Sequence, residues 1–253
     1  MIPPPGSCAV AVMAKTPRPG HVKTRLVPPL SAEEATALNA AFLRDITATI
    51  AAVGRSLPVA GFVAYAPAGG EALFDGLLAP GTALVLADGS VPLPPSVAGI
   101  GRSLVHAARS LLACGFDAVC LVNSDSPTLP GAILRDAVAA LADGRRVVLG
   151  PADDGGYYLI GIPAALATKA EALFHDIPWS TAGVTAATLA RAAEVPLGVL
   201  RLPPWYDVDD PPSLRRLVAD LAVGGDSTSG PAPETAAFVA RAGLARRLAD
   251  PDV

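Results

Sequence analysis

Short, continuously apolar segments alternate with longer amphipathic segments along most of this chain. Residues 118–122, Ala-Val-Cys-Leu-Val, contain no charged or amide side chain, which is typical of a strand covered by helices on both faces. In the first amphipathic segment, Ser31 and Glu34 match a capping box ahead of an apolar stripe that includes Leu38 and Phe42. This alternation predicts an α/β fold, a doubly wound and mainly parallel sheet with helices on both faces.

The same patterns set expected boundaries. We predict strands over 8–14, 58–65, 83–87, 118–123, 146–150, 157–162 and 198–202, and, after the first helix, helices over 101–113, 131–142, 182–193 and 212–223. A main domain over 1–223 then precedes a Gly-, Ser- and Pro-rich linker over 224–233. Residues 234–253 are predicted to be a helical tail, which either docks on the main domain or on a partner, or stays mobile. We expect the main domain to fold without it.

Composition narrows the possible functions. The chain is 51% hydrophobic and 17% charged, as expected of a folded protein, and its net charge of −4 argues against a nucleic-acid-binding surface. Cys8, Cys114 and Cys120 lie in apolar contexts without metal-ligand spacing, which indicates buried thiols in a reducing compartment. A signal-peptide pattern and a long apolar run are both absent from the sequence, so we expect a cytoplasmic protein that does not bind a membrane.

Residues 15–25, Lys-Thr-Pro-Arg-Pro-Gly-His-Val-Lys-Thr-Arg, form a cationic loop between the first strand and the first helix. The loop contains four of the chain's nineteen Lys and Arg residues, and no Asp or Glu precedes Glu33. Backbone N–H groups and cationic side chains in such a loop can bind one anion together. We interpret the loop as a polyphosphate site, and the alternative is a solvated basic loop.

Carboxylates follow two of the predicted strands. Asp125 comes directly after the fourth strand, and Asp209 follows the seventh within the segment Asp-Val-Asp-Asp over 207–210. Because ligands bind at the carboxyl ends of strands in such sheets, these residues are candidate ligands for Mg²⁺ or Mn²⁺, with Asp207 as an alternative to Asp209. Asp125 could instead cap the next helix, and one of the later acids could cap the helix that follows them.

Two further segments are candidates for substrate binding. In the first, two acids precede two glycines that permit a close backbone approach to a ligand, although a solvent-exposed hairpin turn fits equally well. In the second, a tryptophan stands beside two hydroxyl residues, as a pocket wall or as a core aromatic beside a helix cap. The candidate residues are Asp153, Asp154, Gly155, Gly156, Tyr157, Trp179, Ser180 and Thr181.

These motifs, in this order, resemble a bacterial family of GT-A-like transferases with the nucleotide-diphospho-sugar transferase fold, a family associated with arsenosugar and radical-SAM gene neighbourhoods. The resemblance covers most of residues 8–220. The first and last motifs also resemble 2-phospho-lactate guanylyltransferases, particularly Lys-Thr-Arg-Leu over 23–26, and sugar cytidylyltransferases share the closing Asp-x-Asp-x-Pro pattern. One segment departs from the family: residues 90–102 lack its usual Gln and Gly-Asp-Leu-Gly, which implies changed specificity or weaker activity.

The resemblance implies roles for individual residues. Lys23, Arg25 and Asp125 would be catalytic, and Asp125 and Asp209 would hold Mg²⁺ or Mn²⁺. The residues implied to bind phosphate are Lys15, Arg18, Gly20, Lys23, Thr24 and Arg25. The expected partners are a nucleotide and a small-molecule acceptor, and a homodimer is left open.

Two transferase reactions fit this site. In nucleotidyl transfer, a small phosphorylated or hydroxylated acceptor attacks the α-phosphorus of a nucleoside triphosphate; in glycosyl transfer, the donor is a nucleoside diphosphate sugar. We favour nucleotidyl transfer at this point, because a triphosphate carries more charge and suits four loop cations better. The family resemblance favours glycosyl transfer, and a non-catalytic nucleotide-binding role is the third hypothesis.

Overall fold

Seven strands form one sheet in the order β3-β2-β1-β4-β6-β5-β7 in a computed structural model that describes residues 3–223 and 232–249. The strands are β1 (Cys8–Lys15), β2 (Val59–Ala66), β3 (Ala83–Leu86), β4 (Ala118–Asn123), β5 (Val147–Pro151), β6 (Tyr157–Pro163) and β7 (Val199–Arg201). Strand β6 pairs antiparallel with β4 and β5, and the other pairs are parallel. The predicted α/β fold with a mainly parallel sheet is confirmed.

The described part of the chain has eight helices, of which the first five lie between strands and the last three follow β7. They are α1 (Ala32–Gly54), α2 (Ile100–Ala113), α3 (Gly131–Leu141), α4 (Ala167–Ala170), α5 (Val184–Glu194), α6 (Pro211–Val223), α7 (Pro233–Arg241) and α8 (Leu244–Arg247). Helix α1 begins with the predicted capping box: Glu34 N–H donates to Ser31 Oγ at 3.1 Å, and Ser31 N–H donates to the Glu34 carboxylate at 2.9 Å. Such a cap stabilises a helix by about 1 kcal/mol.

Helices cover the sheet on both faces. Successive side chains of a central strand point to opposite faces, so each strand contributes to both apolar clusters. In β1, Val10 and Val12 pack in a cluster with residues of α1 and α3, while Ala9 and Ala11 pack in a cluster with residues of α2 and α5. Each of these β1 residues is at most 1% exposed. Among the described residues, no helix has the length and apolar character required to cross a bilayer.

The C-terminal helices pack on the outer face of α1. Phe238 and Leu244 join an apolar cluster that includes Leu30 and Phe42. Asp45, only 3% exposed, accepts hydrogen bonds at the start of α7 from the backbone N–H groups of Glu234 and Thr235, at 3.0 and 2.8 Å. The described part of the tail therefore docks on the main domain and contributes buried surface, and folding of the main domain without the tail stays a prediction.

The predicted linker lies mostly outside the described residues. Residues 224–231 are not described, and Pro233 already belongs to α7. Residues 250–253 of the predicted tail are also outside the described part. The division into main domain, linker and tail stays a prediction.

Candidate functional site

Two loops that follow strands meet at the carboxyl edge of the sheet. Val208 N–H donates to the Asp125 carbonyl at 2.9 Å, and Ser126 Oγ donates to the Tyr206 carbonyl at 2.8 Å. These hydrogen bonds tie the loop after β4 to the segment before α6 and place Asp209 beside Asp125. We call Asp125 and Asp209 the acid pair. In the same segment, Asp210 accepts from Ser213 N–H at 2.9 Å and caps α6.

The ammonium of Lys23 lies between the two carboxylates of the acid pair. Its Nζ is 2.5 Å from Asp125 Oδ1 and 3.0 Å from Asp209 Oδ1, and it donates to the Val208 carbonyl at 2.7 Å. The Lys23 side chain is 4% exposed and crosses the ring of Phe42, with Nζ 5.3 Å from the ring centroid. Lys23 was predicted to bind phosphate and the two carboxylates to bind a metal, whereas in the structure the ammonium and the carboxylates pair with each other.

A cavity of about 580 Å³, the basic cavity, opens on one side of the acid pair. Its lining includes Lys15, His21, Lys23, Thr24 and Arg25 from the cationic loop. The first turn of α2 also lines it and has no side-chain cap, so its N–H groups add to the positive potential. This cavity is suited to an anion.

The remaining two predicted phosphate ligands lie apart from the basic cavity. Arg18 and Gly20 are exposed residues of the turn that precedes His21, and neither lines the cavity. The turn is fixed by a hydrogen bond from His21 N–H to the Arg18 carbonyl at 3.0 Å. We therefore leave both residues out of the proposed site.

A second cavity of about 230 Å³, the acid cavity, lies on the other side of the acid pair. Asp154 and Asp207 line it together with the acid pair, and Tyr157 and Trp179 belong to its wall. No Lys, Arg or His from the described part of the chain lines it. The two cavities share Met13, Ile100, Asp125, Ser180 and Asp209. They therefore form one cleft whose charge changes sign at the acid pair.

Asp207 is the acid whose ionisation is most affected by this arrangement. Burial, followed by the negative charges of Asp154, Asp209 and Asp125, raises its pKa to about 6. Because the neighbouring carboxylates act in the same direction, the acid cavity retains an excess of negative charge even with Lys23 in place.

Several other predicted substrate residues shape the acid cavity. Gly155 has φ +91°, and a Cβ there would lie 2.2 Å from the Ala182 carbonyl oxygen, so glycine allows the loop before α5 to pack closely. Gly156 N–H donates to Asp154 Oδ1 at 2.8 Å, and Thr181 Oγ1 donates to the Pro178 carbonyl at 2.7 Å. These contacts hold the wall that carries Trp179, Ser180 and Thr181.

Asp153, the remaining candidate, points away from both cavities. Its carboxylate pairs with Arg216 of α6 at 2.7 Å on the exposed surface, and it lines neither cavity. The adjacent acids Asp153 and Asp154 therefore have different surroundings, and only Asp154 belongs to the candidate site.

The acid pair has the donor chemistry that a hard divalent cation requires. Two carboxylate oxygens lie within 3.0 Å of one point, the position of Lys23 Nζ, where a positive charge already sits. Among residues 3–223 and 232–249, no group of three or more His, Cys, Asp or Glu is arranged to hold a metal. A cation here would take two protein carboxylates and complete its shell with phosphate and water, which is common for Mg²⁺. Asp125 and Asp209 are therefore suitable ligands for Mg²⁺ or Mn²⁺.

Asn39 of α1 belongs to the site, although no sequence motif pointed to it. Its side chain is 4% exposed, lines the basic cavity, and has an Oδ1 without a hydrogen-bond partner in the described part of the chain. Buried acceptors without partners are rare. An amide next to Leu38 on an otherwise apolar helix face was the available signal.

The segment that departs from the family pattern, residues 90–102, is held by Arg102. Its guanidinium donates to the carbonyls of Gly89 and Val91, at 2.9 and 3.1 Å. Gly101 packs against Trp179, where a Cβ would lie 2.9 Å from the indole. The segment thus supports the first turn of α2 beside the basic cavity.

Residues 49–181, just over half of the chain, match the DUF2064 family, described as "Uncharacterized protein conserved in bacteria". The chain belongs to this family. A comparison with curated protein sequences gave no match.

The chain is similar in fold to three solved structures that are described as transferases. A protein from Desulfovibrio desulfuricans G20, assigned as a nucleotide-diphospho-sugar transferase, is 28% identical with a TM-score of 0.77, over 96% of this chain and 98% of its own. A cytidylyltransferase from Leptospira borgpetersenii serovar Hardjo-bovis is 11% identical with a TM-score of 0.54, over 94% of this chain and 95% of its own. The glucosyl-3-phosphoglycerate synthase of Mycobacterium tuberculosis, solved with Mn²⁺ and UDP, is 14% identical with a TM-score of 0.50, over 85% of this chain and 79% of its own. The GT-A-like fold predicted from the resemblance is confirmed.

Proposed function

We propose that this DUF2064 protein is a divalent-metal-dependent glycosyltransferase that uses a nucleoside diphosphate sugar as donor and a small hydroxylated molecule as acceptor. The observation that carries the proposal is the change of charge along the cleft. A cationic cavity meets an acidic cavity at the acid pair, where the bond between diphosphate and sugar would lie.

The number of available cations favours a diphosphate over a triphosphate. Of the four Lys and Arg side chains in the loop, Arg18 lies outside the basic cavity, and Lys23 is paired with the acid pair when no cation is bound there, so at most three of them can face one anion. Lys15 and Arg25 line the cavity and have no salt-bridge partner among the described residues. This revises our initial preference for nucleotidyl transfer, which assumed four cations on one anion.

The acid cavity favours a neutral, hydroxylated group. Its carboxylates can accept hydrogen bonds from sugar hydroxyls, while they would repel a phosphorylated acceptor. Asp207, half-buried in this cavity, is placed to take the proton of the acceptor hydroxyl. The acceptor oxygen then bonds to the anomeric carbon as the bond from that carbon to the diphosphate oxygen breaks.

The departing diphosphate remains in the basic cavity. Lys15, Arg25 and the first turn of α2 would hold its charge there. Mg²⁺ or Mn²⁺ bound by Asp125 and Asp209 would supply further neutralisation of that charge. The glucosyl-3-phosphoglycerate synthase structure with Mn²⁺ and UDP supports a nucleotide and a divalent cation as ligands of this fold.

Nucleotidyl transfer is the second candidate. The basic cavity, at about 580 Å³, is large enough for a nucleotide, and a cytidylyltransferase shares the fold. In that reaction a nucleoside triphosphate would occupy the basic cavity and pyrophosphate would leave.

Ligand-dependent melting and product analysis separate these functions. The protein is heated with MgCl₂ and each common nucleoside triphosphate or nucleoside diphosphate sugar, and the stabilising donor is then incubated with small polyols. We expect a nucleoside diphosphate sugar to raise the melting temperature and free diphosphate to be released. Release of pyrophosphate from a triphosphate would establish nucleotidyl transfer, and the absence of any nucleotide response would favour a non-catalytic role.

A further inference from the structure

Lys23 occupies the position that a cation bound by the acid pair would require. Its Nζ is within 3.0 Å of one oxygen from each carboxylate, so those two oxygens cannot bind a metal while Lys23 remains there. A metal and an ammonium at the same position would also repel each other strongly in this half-buried site. Occupation by one excludes the other.

We propose that Lys23 and a divalent cation alternate at the acid pair, and that Asn39 is the positioning residue that receives Lys23 when it leaves. The proposal rests on the proposed function for its assumption that a divalent cation binds at Asp125 and Asp209. It adds an exchange that would couple metal binding to donor binding.

Asn39 provides a second partner for the ammonium. Its Oδ1 is buried and has no hydrogen-bond partner among the described residues, and Asn39 lines the basic cavity as Lys23 does. Asn39 lies three residues before Phe42 on α1, and Lys23 Nζ lies over the Phe42 ring. An unpartnered carbonyl oxygen in the lining of the same cavity is a suitable acceptor for a strong donor such as an ammonium.

The backbone at Lys23 has an uncommon conformation. Lys23 has φ 49° and ψ 36°, in the left-handed region, and Ser180 at the boundary of the two cavities also has positive φ. Two of the four non-glycine residues with positive φ in the described ranges thus lie at this site. Such conformations persist where surrounding structure holds them and often mark sites that change state.

The exchange has a functional consequence. A metal that binds to the acid pair displaces Lys23. The charge of Lys23 then moves into the basic cavity, which would hold the donor phosphates. Metal and donor would then each raise the affinity for the other by the same factor, because such coupling is reciprocal.

Binding of Mn²⁺ alone, measured by electron paramagnetic resonance of the free ion, tests the exchange. We expect Lys23→Met to bind Mn²⁺ about tenfold more tightly than the parent, because the competing ammonium is gone. Lys169→Met is the matched control; Lys169 donates to the Pro196 carbonyl at 2.8 Å and lines neither cavity, so the Mn²⁺ affinity of this variant should be unchanged. Equal or weaker binding by Lys23→Met would overturn the proposal.

A double-mutant cycle tests the role of Asn39. Asn39→Leu should weaken Mn²⁺ binding about threefold in the parent and leave it unchanged in Lys23→Met, because Asn39 acts only through the displaced ammonium. A purely structural role would instead weaken binding equally in both backgrounds, and that result would remove Asn39 from the proposal.

The parent protein offers a test without substitution at Lys23. The chain has three lysines, Lys15, Lys23 and Lys169, so acylation by an N-hydroxysuccinimide ester can be followed on each by mass spectrometry. We expect saturating Mg²⁺ to speed labelling of Lys23 about fivefold relative to the other two. Unchanged labelling of Lys23 with Mn²⁺ bound would show that the ammonium does not move. No Mn²⁺ binding by any variant, with or without UDP, would instead reject the metal dependence of the proposed function.

Discussion

The basic and acid cavities are neighbours in one cleft but are built from different parts of the chain. Loop residues before α1 and the first turn of α2 supply the cations and N–H groups of the basic cavity. Carboxylates that follow β4, β5 and β7 supply the acid cavity, together with Tyr157 and Trp179. The difference indicates that charge is separated along the sheet edge, with Lys23 and the acid pair at the boundary. Each prediction below tests one side of this boundary.

The largest expected effect is at the boundary itself. Asp125→Asn keeps the size of the side chain but removes a charge needed for a hard cation, so turnover with Mg²⁺ should fall about 10³-fold or more. The rate of nucleoside diphosphate release measures this.

Asp153→Asn is the matched control for that substitution. Asp153 pairs with Arg216 at the surface outside both cavities, so the rate should stay within about twofold of the parent. If the two variants lose activity equally, the assignment of the acid pair is wrong.

The next largest effect is expected in the acid cavity. Asp207→Asn cannot accept the acceptor proton, so kcat should fall about 10²-fold, while protection by the donor nucleotide in a melting experiment should persist. Loss of nucleotide protection in this variant would mean that the two cavities do not have separate roles.

Substitutions in the basic cavity should weaken nucleotide binding, which Asp207→Asn should leave intact. Lys15→Met and Arg25→Met should each weaken nucleoside diphosphate binding about 10–100-fold, the loss typical of a charge-assisted contact. Arg18→Met, from the same loop but outside the cavity, should change binding by less than about threefold. Calorimetric titration measures all three, and a large effect of Arg18→Met would redefine the cavity.

The smallest effect concerns the contact of the tail with the start of α1. Arg247 of α8 donates to the Glu34 carboxylate at 2.6 Å and to the Pro29 carbonyl at 2.9 Å. Its hydrogen bond, followed by that of the Ser31 N–H, lowers the pKa of Glu34. Arg247→Met should reduce the free energy of unfolding by about 1 kcal/mol at pH 7.

The direction of the pKa shift of Glu34 determines how the contribution of the Arg247–Glu34 pair to the free energy of unfolding depends on pH. Because the pKa is lower in the folded state, the pair stabilises the protein above the ordinary pKa of glutamate, and this contribution is lost as the pH falls through the folded-state value. The difference in unfolding free energy between Arg247→Met and the parent should therefore shrink as the pH falls below the ordinary pKa of glutamate. A difference that is constant with pH would show that the variant acts through packing alone.

Much of the fold could be predicted because its signals are local. Strand β4 has the boundaries expected from its apolar run, and α1 begins at the predicted capping box, since both depend on residues within one turn or one strand. The position of Asp125 and Asp209 at one sheet edge also followed from the sequence, because parallel strands end on the same side. Their role as metal ligands stays a proposal.

Side-chain partners could not be predicted in the same way. Lys23 and Asp209 are separated by 186 residues, and only the packing of two loops decided that they form an ion pair. Asp153 and Asp154 are adjacent and identical residues. In the turn that they form with Gly155, however, Asp153 pairs with Arg216 and Asp154 lines the acid cavity. The sequence by itself determined the elements and the edge at which charged residues collect, since these depend on local periodicity and chain direction. The tertiary structure decided which charges meet, because that depends on loop packing between distant segments.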